Sequence, residues 1–465
     1  MRPRVLPPRL PPAVRRRATL AVLTLAGAAA ASAAGAQQRV TFPPLPLPAT
    51  ADAPTLSFAV SQSLEADSNF DLVNDPGGTT YLGETRFAAD YLRDIETSRF
   101  GLGIDTGLRG VQRPDEDFEW VTASPSTGYA NYRAEGVDSL FDLELTARSR
   151  EVDSISTLDF DPSLPGPDIP DDLNQFRQDT REFRYDADVG FALGTTSPST
   201  YGLRVLASSI DYSEEGDNLT PRTTVNPQAN WTLQLTPVLS GALFGGYYYY
   251  NADNQEETQI RVGEADAGVI YEPSERLRVG FGLGYADRRE TNEVQRQGTT
   301  ETETERDTGP VVRGDVYYAL PDFSLYGNAR WTTAAPEDNR FSGFVSASYT
   351  LPRGRVTGRV FQRPTGDTTG EAVRVTGAAI GLQREINSVS RVGLDLGWAT
   401  QINLDDDDPD PDITRTDLTA SYEYDITAVV TAEVGYTYQT REEDPVDADG
   451  HRVYLLLGRT FETGL

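Results

Sequence analysis

The segment 415–439 alternates with a period of two. Thr416, Leu418, Ala420, Tyr422 and Tyr424 fall on one parity, and Asp417, Thr419, Ser421, Glu423 and Asp425 on the other. After 426–428 the pattern resumes as Val430, Ala432, Val434, Tyr436 and Tyr438 against Thr431, Glu433, Gly435, Thr437 and Gln439. Successive side chains of a strand point to opposite faces, so this reads as a β-hairpin with one uncharged face and one polar face. Residues 426–428 leave room for a tight turn between the arms.

The same alternation recurs along the chain. Leu56, Phe58 and Val60 open the series. Later arms carry Phe100, Leu102, Ile104 and Leu108; Phe141, Leu143 and Leu145; Phe183, Tyr185, Val189 and Phe191; Val279, Phe281 and Leu283; and Val392, Leu394 and Leu396. The arms run nine to thirteen residues, near the length a tilted strand needs to cross a bilayer and longer than the strands of a soluble sandwich. Short links recur at 93–96, 135–138, 236–237, 272–276, 321–322, 352–353, 386–390 and 426–428. Between them lie longer polar stretches at 64–79, 110–118, 152–178, 289–307, 402–414 and 441–450. Short turns on one side and long loops on the other predict an all-β fold, a transmembrane antiparallel up-and-down β-barrel of about twenty strands (range roughly 16–20). The arms at 119–133 and 222–235 are less regular, with Pro125 and Pro227 inside them.

Aromatic placement supports the same architecture. Tyr91, Phe100, Tyr271, Tyr318, Phe323, Tyr349, Tyr422 and Tyr424 fall at turn ends. Tyr285, Trp331, Trp398, Tyr436, Tyr438 and the run 247–250 fall at loop ends. Two such girdles mark the two membrane interfaces.

Composition and charge refine the picture. The chain has no Cys, one His and one Met, and all 41 basic residues are Arg. Disulfides, cysteine–zinc sites and an N-terminal cysteine lipid anchor are therefore excluded. Residues 1–36 read as a signal peptide: Arg2, Arg4, Arg9, Arg15, Arg16 and Arg17, an apolar stretch 18–31, and Ala34, Gly35 and Ala36 before Gln37. Residues 37–54 form a Pro-rich periplasmic lead-in, and 55–465 the outer-membrane barrel. Removing the six signal arginines takes the formal charge from −30 to −36. The expected location is the outer membrane of a Gram-negative bacterium. The expected partners are its lipid and lipopolysaccharide, and the barrel-assembly machinery during insertion, with no nucleic acid.

The closing strand, Val453, Leu455 and Leu457 to Phe461, resembles the terminal insertion signal of outer-membrane barrels, although Arg459 falls on its lipid-facing parity. The opening 61–72, Ser-Gln-Ser-Leu-Glu-Ala-Asp-Ser-Asn-Phe-Asp-Leu, followed by 87–110, resembles an uncharacterised bacterial outer-membrane family assigned as β-barrel porins. The resemblance covers roughly 55–461. It implies a possible role in exopolysaccharide passage and supplies no catalytic residues.

Candidate chemistry lies on the polar parity. Arg99, Asp105, Arg109, Asp142, Glu144, Arg148, Arg184, Asp186, Asp188, Arg278, Arg313, Asp315, Arg391, Asp395 and Glu433 are the lumen candidates, joined by Asp90, Arg204 and Arg330. Rings of such charge tune ion selectivity, and cross-strand pairing of the same residues stiffens the wall. The acidic stretch 405–412 and Asp159, Asp161, Asp168, Asp171 and Asp172 concentrate negative charge on the outer side, and whether they take Ca²⁺ is left open. No cofactor site is expected. His451, in the loop 441–452 beside Asp447 and Asp449, is the sole footing for an enzyme, and no Ser neighbours it in the sequence.

A barrel without an N-terminal plug domain does not suit a TonB-dependent transporter. The leading expectation is a passive porin-like channel for small polar solutes with a cation bias from its acidic mouth. The alternative is a non-conducting structural or exopolysaccharide-associated barrel, plugged by an inward loop such as 152–178. No enzymatic activity is expected.

Overall fold

A computed structural model describes residues 54–464, except 71, 115, 122–125, 152–179, 214–218, 254–256, 297–298, 336–339, 367–371, 404–411 and 444. The expected signal peptide, most of the lead-in, the loop 152–178 and nearly all of the acidic stretch 405–412 lie outside the described residues.

In chain order the strands are β1 (Thr55–Asp67), β2 (Thr80–Ile95), β3 (Ser98–Gln112), β4 (Glu119–Val121), β5 (Ser126–Glu135), β6 (Ser139–Glu151) and β7 (Arg181–Leu193). Next come β8 (Ser199–Tyr212), β9 (Arg222–Thr236), β10 (Leu239–Ala252), β11 (Gln259–Ser274), β12 (Leu277–Arg296), β13 (Thr299–Leu320) and β14 (Phe323–Thr332). The last are β15 (Phe341–Leu351), β16 (Gly354–Gly366), β17 (Ala372–Asn387), β18 (Ser390–Asn403), β19 (Ile413–Thr427), β20 (Val430–Glu443) and β21 (Val446–Gly464). No helix is present among the described residues.

Of the 21 strands among the described residues, β4 pairs with β3 alone; the other twenty form the wall, each antiparallel to its neighbours. β1 pairs with β21 from Thr55↔Gly464 to Asp67↔Arg452, closing the sheet on itself. Closure satisfies the backbone groups of both terminal strands, which a hydrocarbon layer could not do.

Burial follows the parity. Phe58, Leu102, Phe281, Leu283, Val360, Ile380, Leu396 and Leu455 are exposed, with no second layer over them among the described residues. The opposite parity makes contacts that skip strands. The Tyr129 hydroxyl on β5 donates to Asp90 on β2 across β3 (2.7 Å), and Arg330 on β14 reaches Glu264 on β11 (2.7 Å) across β12 and β13. Such reach requires the concave side, so the polar parity lines the bore and the apolar parity forms a belt around the outside. A single-layer closed wall with an apolar belt is an outer-membrane β-barrel.

The turn-side girdle is built from cross-strand ring pairs on the outer face: Tyr91–Phe100, Tyr132–Phe141, Tyr201–Trp231 and Tyr318–Phe323, with centroids 6.1 to 6.4 Å apart. The run 247–250 does not join the loop-side girdle as a unit. Tyr247 and Tyr249 share the outward parity of Leu243, whereas Tyr248 and Tyr250 take the inward parity of the buried Phe244.

Three loop expectations are corrected. Residues 289–307 are a continuation of the β12–β13 hairpin, paired out to Arg296↔Thr299. Residues 441–450 belong largely to β20 and β21, paired out to Glu443↔Val446. The stretch 64–79 begins inside β1, which runs to Asp67. A short turn between Gly194 and Ser199 was not anticipated. Gly194 has φ +76°, and a Cβ there would fall on the carbonyl oxygen of Ser199, so the position requires glycine. The turn is tied to its neighbour by Asp138, which accepts hydrogen bonds from the Thr196 amide and hydroxyl (both 2.8 Å); these hold its carboxyl below the usual carboxylate range.

Pro227 sits within β9 opposite Val205 of β8, and the β9–β10 register is interrupted at 226–227, where proline offers no N–H. The irregular 119–133 resolves into the short β4 followed by β5.

Leu283 is 55 % exposed in the middle of the belt. Leu283→Arg is expected to cost about 2–4 kcal/mol of folding free energy in lipid vesicles, and Thr302→Arg, beyond the belt on the same hairpin, close to nothing. Reversible denaturant titration in vesicles measures both.

Candidate functional site: the lumen wall and its outer rim

Two residues apart on one strand share a face, and the sequence uses that spacing to pair charges inside the bore. Arg86 bonds Glu84 (3.0 Å) and, across to β3, Asp105 (2.7 Å). Arg133 bonds Glu135 (2.9 Å) and faces Asp142 (3.9 Å), while Arg184 bonds Asp186 (3.0 Å). Arg288–Glu290 and Arg441–Glu443 repeat the device on β12 and β20. Arg204 of β8 pairs with Asp188 of β7, directly across the ladder diagonal.

The other residues singled out from sequence fall on the same inward parity. Arg99 meets Asp94 (3.3 Å), Arg278 meets Glu272 (3.4 Å), and Arg391 pairs with Glu423 and lies 3.7 Å from Asp425. Glu433 accepts a hydrogen bond from the Tyr454 hydroxyl (2.7 Å). The Arg109 guanidinium stands 5.8 Å from the Phe70 ring. Glu144, Arg148, Asp315 and Asp395 lie on the inward parity of β6, β13 and β18 by register.

The densest group spans β11 to β14. Arg313 pairs with Glu264 and Asp266 (2.9 Å to the latter), Arg330 bonds Glu264 (2.7 Å), and the Arg313 guanidinium lies 4.4 Å from the Phe244 ring centroid. The Glu264, Asp266 and Arg313 side chains are 1 %, 0 % and 8 % exposed. To reach β11 from β13, Arg313 must pass over β12, whose inward residues Gly280 and Gly284 leave the wall low. A Cβ at Gly284 would fall on the backbone of Ala265 and Asp266. Glu264 and Asp266 escaped the sequence reading because β11 alternates them with Gly263, Ala265 and Ala267, which give no strong apolar face.

At the outer end, Phe70 and Leu72 turn inward. Phe70 packs on Leu82 and Val111, inward residues of β2 and β3, and Leu72 packs on Ala448 of β21. Leu72 holds φ +44° while fully buried, a left-handed conformation that a leucine adopts only when its surroundings enforce it. The clasp centres on Asn69. Its amide donates to the Val73 and Asp449 carbonyls (2.8 Å each), and its oxygen accepts from the Val73 N–H (3.0 Å). Asp67 accepts from the Asn69 N–H (2.9 Å) and from Arg452 (3.0 Å), fixing the seam between β1 and β21. Farther round the rim, Phe344, Phe361, Val373, Val375, Ala399 and Ile413 form a buried apolar cluster on the inner face.

His451 lies on β21, not in a loop. It shares the outward parity of Val453, with Nδ1 2.8 Å from the Tyr436 hydroxyl and its ring 5.2 Å from that of Tyr438. Its Nε2 stands 3.6 Å from Asp449. A serine does approach in space: the Ser68 hydroxyl accepts from the His451 backbone N–H (2.9 Å), so it meets the main chain and not the ring. Among the described residues no group of three or more His, Asp or Glu is arranged to hold a metal ion.

No protein-family model and no curated protein sequence matches the chain. Solved structures similar to it are outer-membrane barrels. The siderophore receptor PiuA of Acinetobacter baumannii aligns at 8 % identity over 87 % of this chain and 82 % of that one, with a TM-score of 0.46. The ferric citrate transporter FecA aligns at 9 % identity over 87 % and 78 % (TM-score 0.48), and OpdQ of Pseudomonas aeruginosa at 11 % over 88 % and 99 % (TM-score 0.36).

Proposed function

We propose that this barrel is a passive channel of the porin type for small polar solutes, with a preference for cations and no catalytic role. The observation that supports it is the set of paired charges on the concave wall, on β2–β8, β11–β14 and β18–β20. Such a wall is wet-compatible along its length, and paired side chains keep their positions when solute passes. The bias follows from the net charge of −30, which raises cation concentration near the molecule. The lipid and lipopolysaccharide of the outer leaflet are its surroundings in this reading. Purified protein in planar bilayers is expected to give stepwise conductance, with a reversal potential in a salt gradient that indicates cation preference. Anion preference would refute the bias.

The inward-turned Phe70 and Leu72 and the buried apolar cluster around Phe361 favour a second reading, a non-conducting structural or exopolysaccharide-associated barrel. Silent bilayers into which protein has demonstrably inserted would select it.

A further inference from the structure

We propose that the outward face of β11–β13, at the loop-side end of the belt, is a binding site for the phosphate groups of lipopolysaccharide in the outer leaflet. In one rung of the ladder Arg261 of β11 stands directly opposite Arg289 of β12, which stands directly opposite Arg306 of β13. All three are exposed, and they share the outward parity of Leu283 and Tyr285. Tyr249 of β10 faces Arg261 in the same rung, so the row lies at the depth of the loop-side rings, where headgroups begin. Neighbouring strands are about 4.8 Å apart, which spreads the row over about 10 Å.

Like charges directly opposite on one face of a sheet repel. On the inward face of the same hairpin Arg288 is served by two carboxylates, Glu290 and Asp307 (3.4 Å to the latter). The outward face is short of acid. Over 259–263, 285–291 and 302–308 it carries these three arginines against one carboxylate, Asp287. Arg306 takes that carboxylate with two parallel hydrogen bonds (2.8 and 2.7 Å). Arg261 donates to Gln259, a neutral amide, and Arg289 makes no hydrogen bond among the described residues. Two guanidiniums therefore lack a hydrogen-bonded anion, side by side, in a chain of net charge −30.

A phosphate seated between neighbouring guanidiniums accepts charge-assisted hydrogen bonds from both, and the planar fork suits its oxygens. The surroundings select its carrier. Phe281 and Leu283 continue the same outward parity into the belt, so a ligand with acyl chains lies along them while its phosphate meets the row. That arrangement fits a lipid better than a free anion. The loop side of the barrel faces the outer leaflet, whose glycolipid carries its phosphates on sugars at headgroup depth. The site asks nothing of the bore and stands whether or not the barrel conducts.

The test uses full-length barrel in detergent and native mass spectrometry, which counts the lipids retained. The probes are lipid A with both phosphates, the same lipid with both removed, and phosphatidylglycerol. Saturable retention of the first alone is expected. Arg261→Ser combined with Arg289→Ser is expected to weaken it by about a hundredfold, about tenfold for each charged hydrogen bond lost. Asp287→Asn removes the carboxylate that occupies Arg306 and is expected to tighten binding by about threefold, the worth of an exposed ion pair. A row with a merely structural role would give no such gain. Retained heat-modifiable mobility in electrophoresis shows that the variants are folded. Unchanged retention by the double arginine variant, or equal retention of the dephosphorylated lipid, would reduce the effect to acyl-chain adsorption and overturn the site. Equal retention of phosphatidylglycerol would overturn the choice of lipopolysaccharide and assign the row to phosphodiester lipids.

Discussion

Arg313→Ala is expected to cost about 3–5 kcal/mol of folding free energy, the cost of leaving one side of a buried ion pair without the other. Glu264 and Asp266 are almost completely buried beside it, and both would lose their nearest cation. Arg330 continues to hold Glu264, which leaves Asp266 the more exposed to the loss. Adding Glu264→Gln and Asp266→Asn should recover part of the deficit, because neutral amides do not repel each other and cost less to bury. Phe244 also loses the cation lying over its ring, a smaller contribution of about 0.5–2 kcal/mol. Denaturant titration of the single and triple variants in vesicles measures the recovery; a triple variant no more stable than the single one would show that packing, not charge, sets the cost. In the channel reading the single variant also becomes more cation-selective, since it removes one positive charge and leaves two carboxylates in the wall.

Period-two alternation made the wall legible, because a bilayer outside and water inside impose opposite demands on alternate residues of every arm. It failed where that contrast ends. Above the membrane both faces of the β12–β13 hairpin meet water, so the alternating Thr and Glu of 299–305 carry no apolar signal and read as loop. The same holds for 441–450, where Asp447 and Asp449 take the parity of Val453 beyond the belt. The lumen charges were visible as a set from parity, but their partners were not. Arg313 finds Glu264 two strands away, and Tyr129 finds Asp90 across β3; such contacts depend on barrel curvature and on glycines in the strand between. The clasp at 68–79 was hidden for a related reason. Asn69, Phe70 and Leu72 look like loop residues until the closure of β1 on β21 brings Asp449 and Ala448 beside them.

The glycines themselves carry the other large effect. Gly435 of β20 faces Tyr454 of β21 across the ladder, and a Cβ there would lie well under 3.0 Å from the ring and hydroxyl of Tyr454. The ring occupies the space a side chain at 435 would take, and its hydroxyl donates to Glu433, two residues away on the same face (2.7 Å). Gly103 receives Tyr129 in the same manner, and that hydroxyl reaches Asp90. Gly435→Val should therefore displace Tyr454 and break a hydrogen bond to a carboxylate at once. Overpacking costs about 1–3 kcal/mol and the lost charged hydrogen bond about 1.5–3 kcal/mol, so a total near 3–5 kcal/mol is expected. Tyr454→Ala alone removes the hydrogen bond but creates no clash. If the glycine serves as the bed of the ring, Gly435→Val should cost little more in the Tyr454→Ala background than the valine's own β-propensity changes, a coupling of about 1–3 kcal/mol between the two sites. Additive costs in the double-mutant cycle would show that Gly435 is needed for the backbone alone, and the ring-on-glycine contact would then contribute nothing to holding the lumen wall in shape.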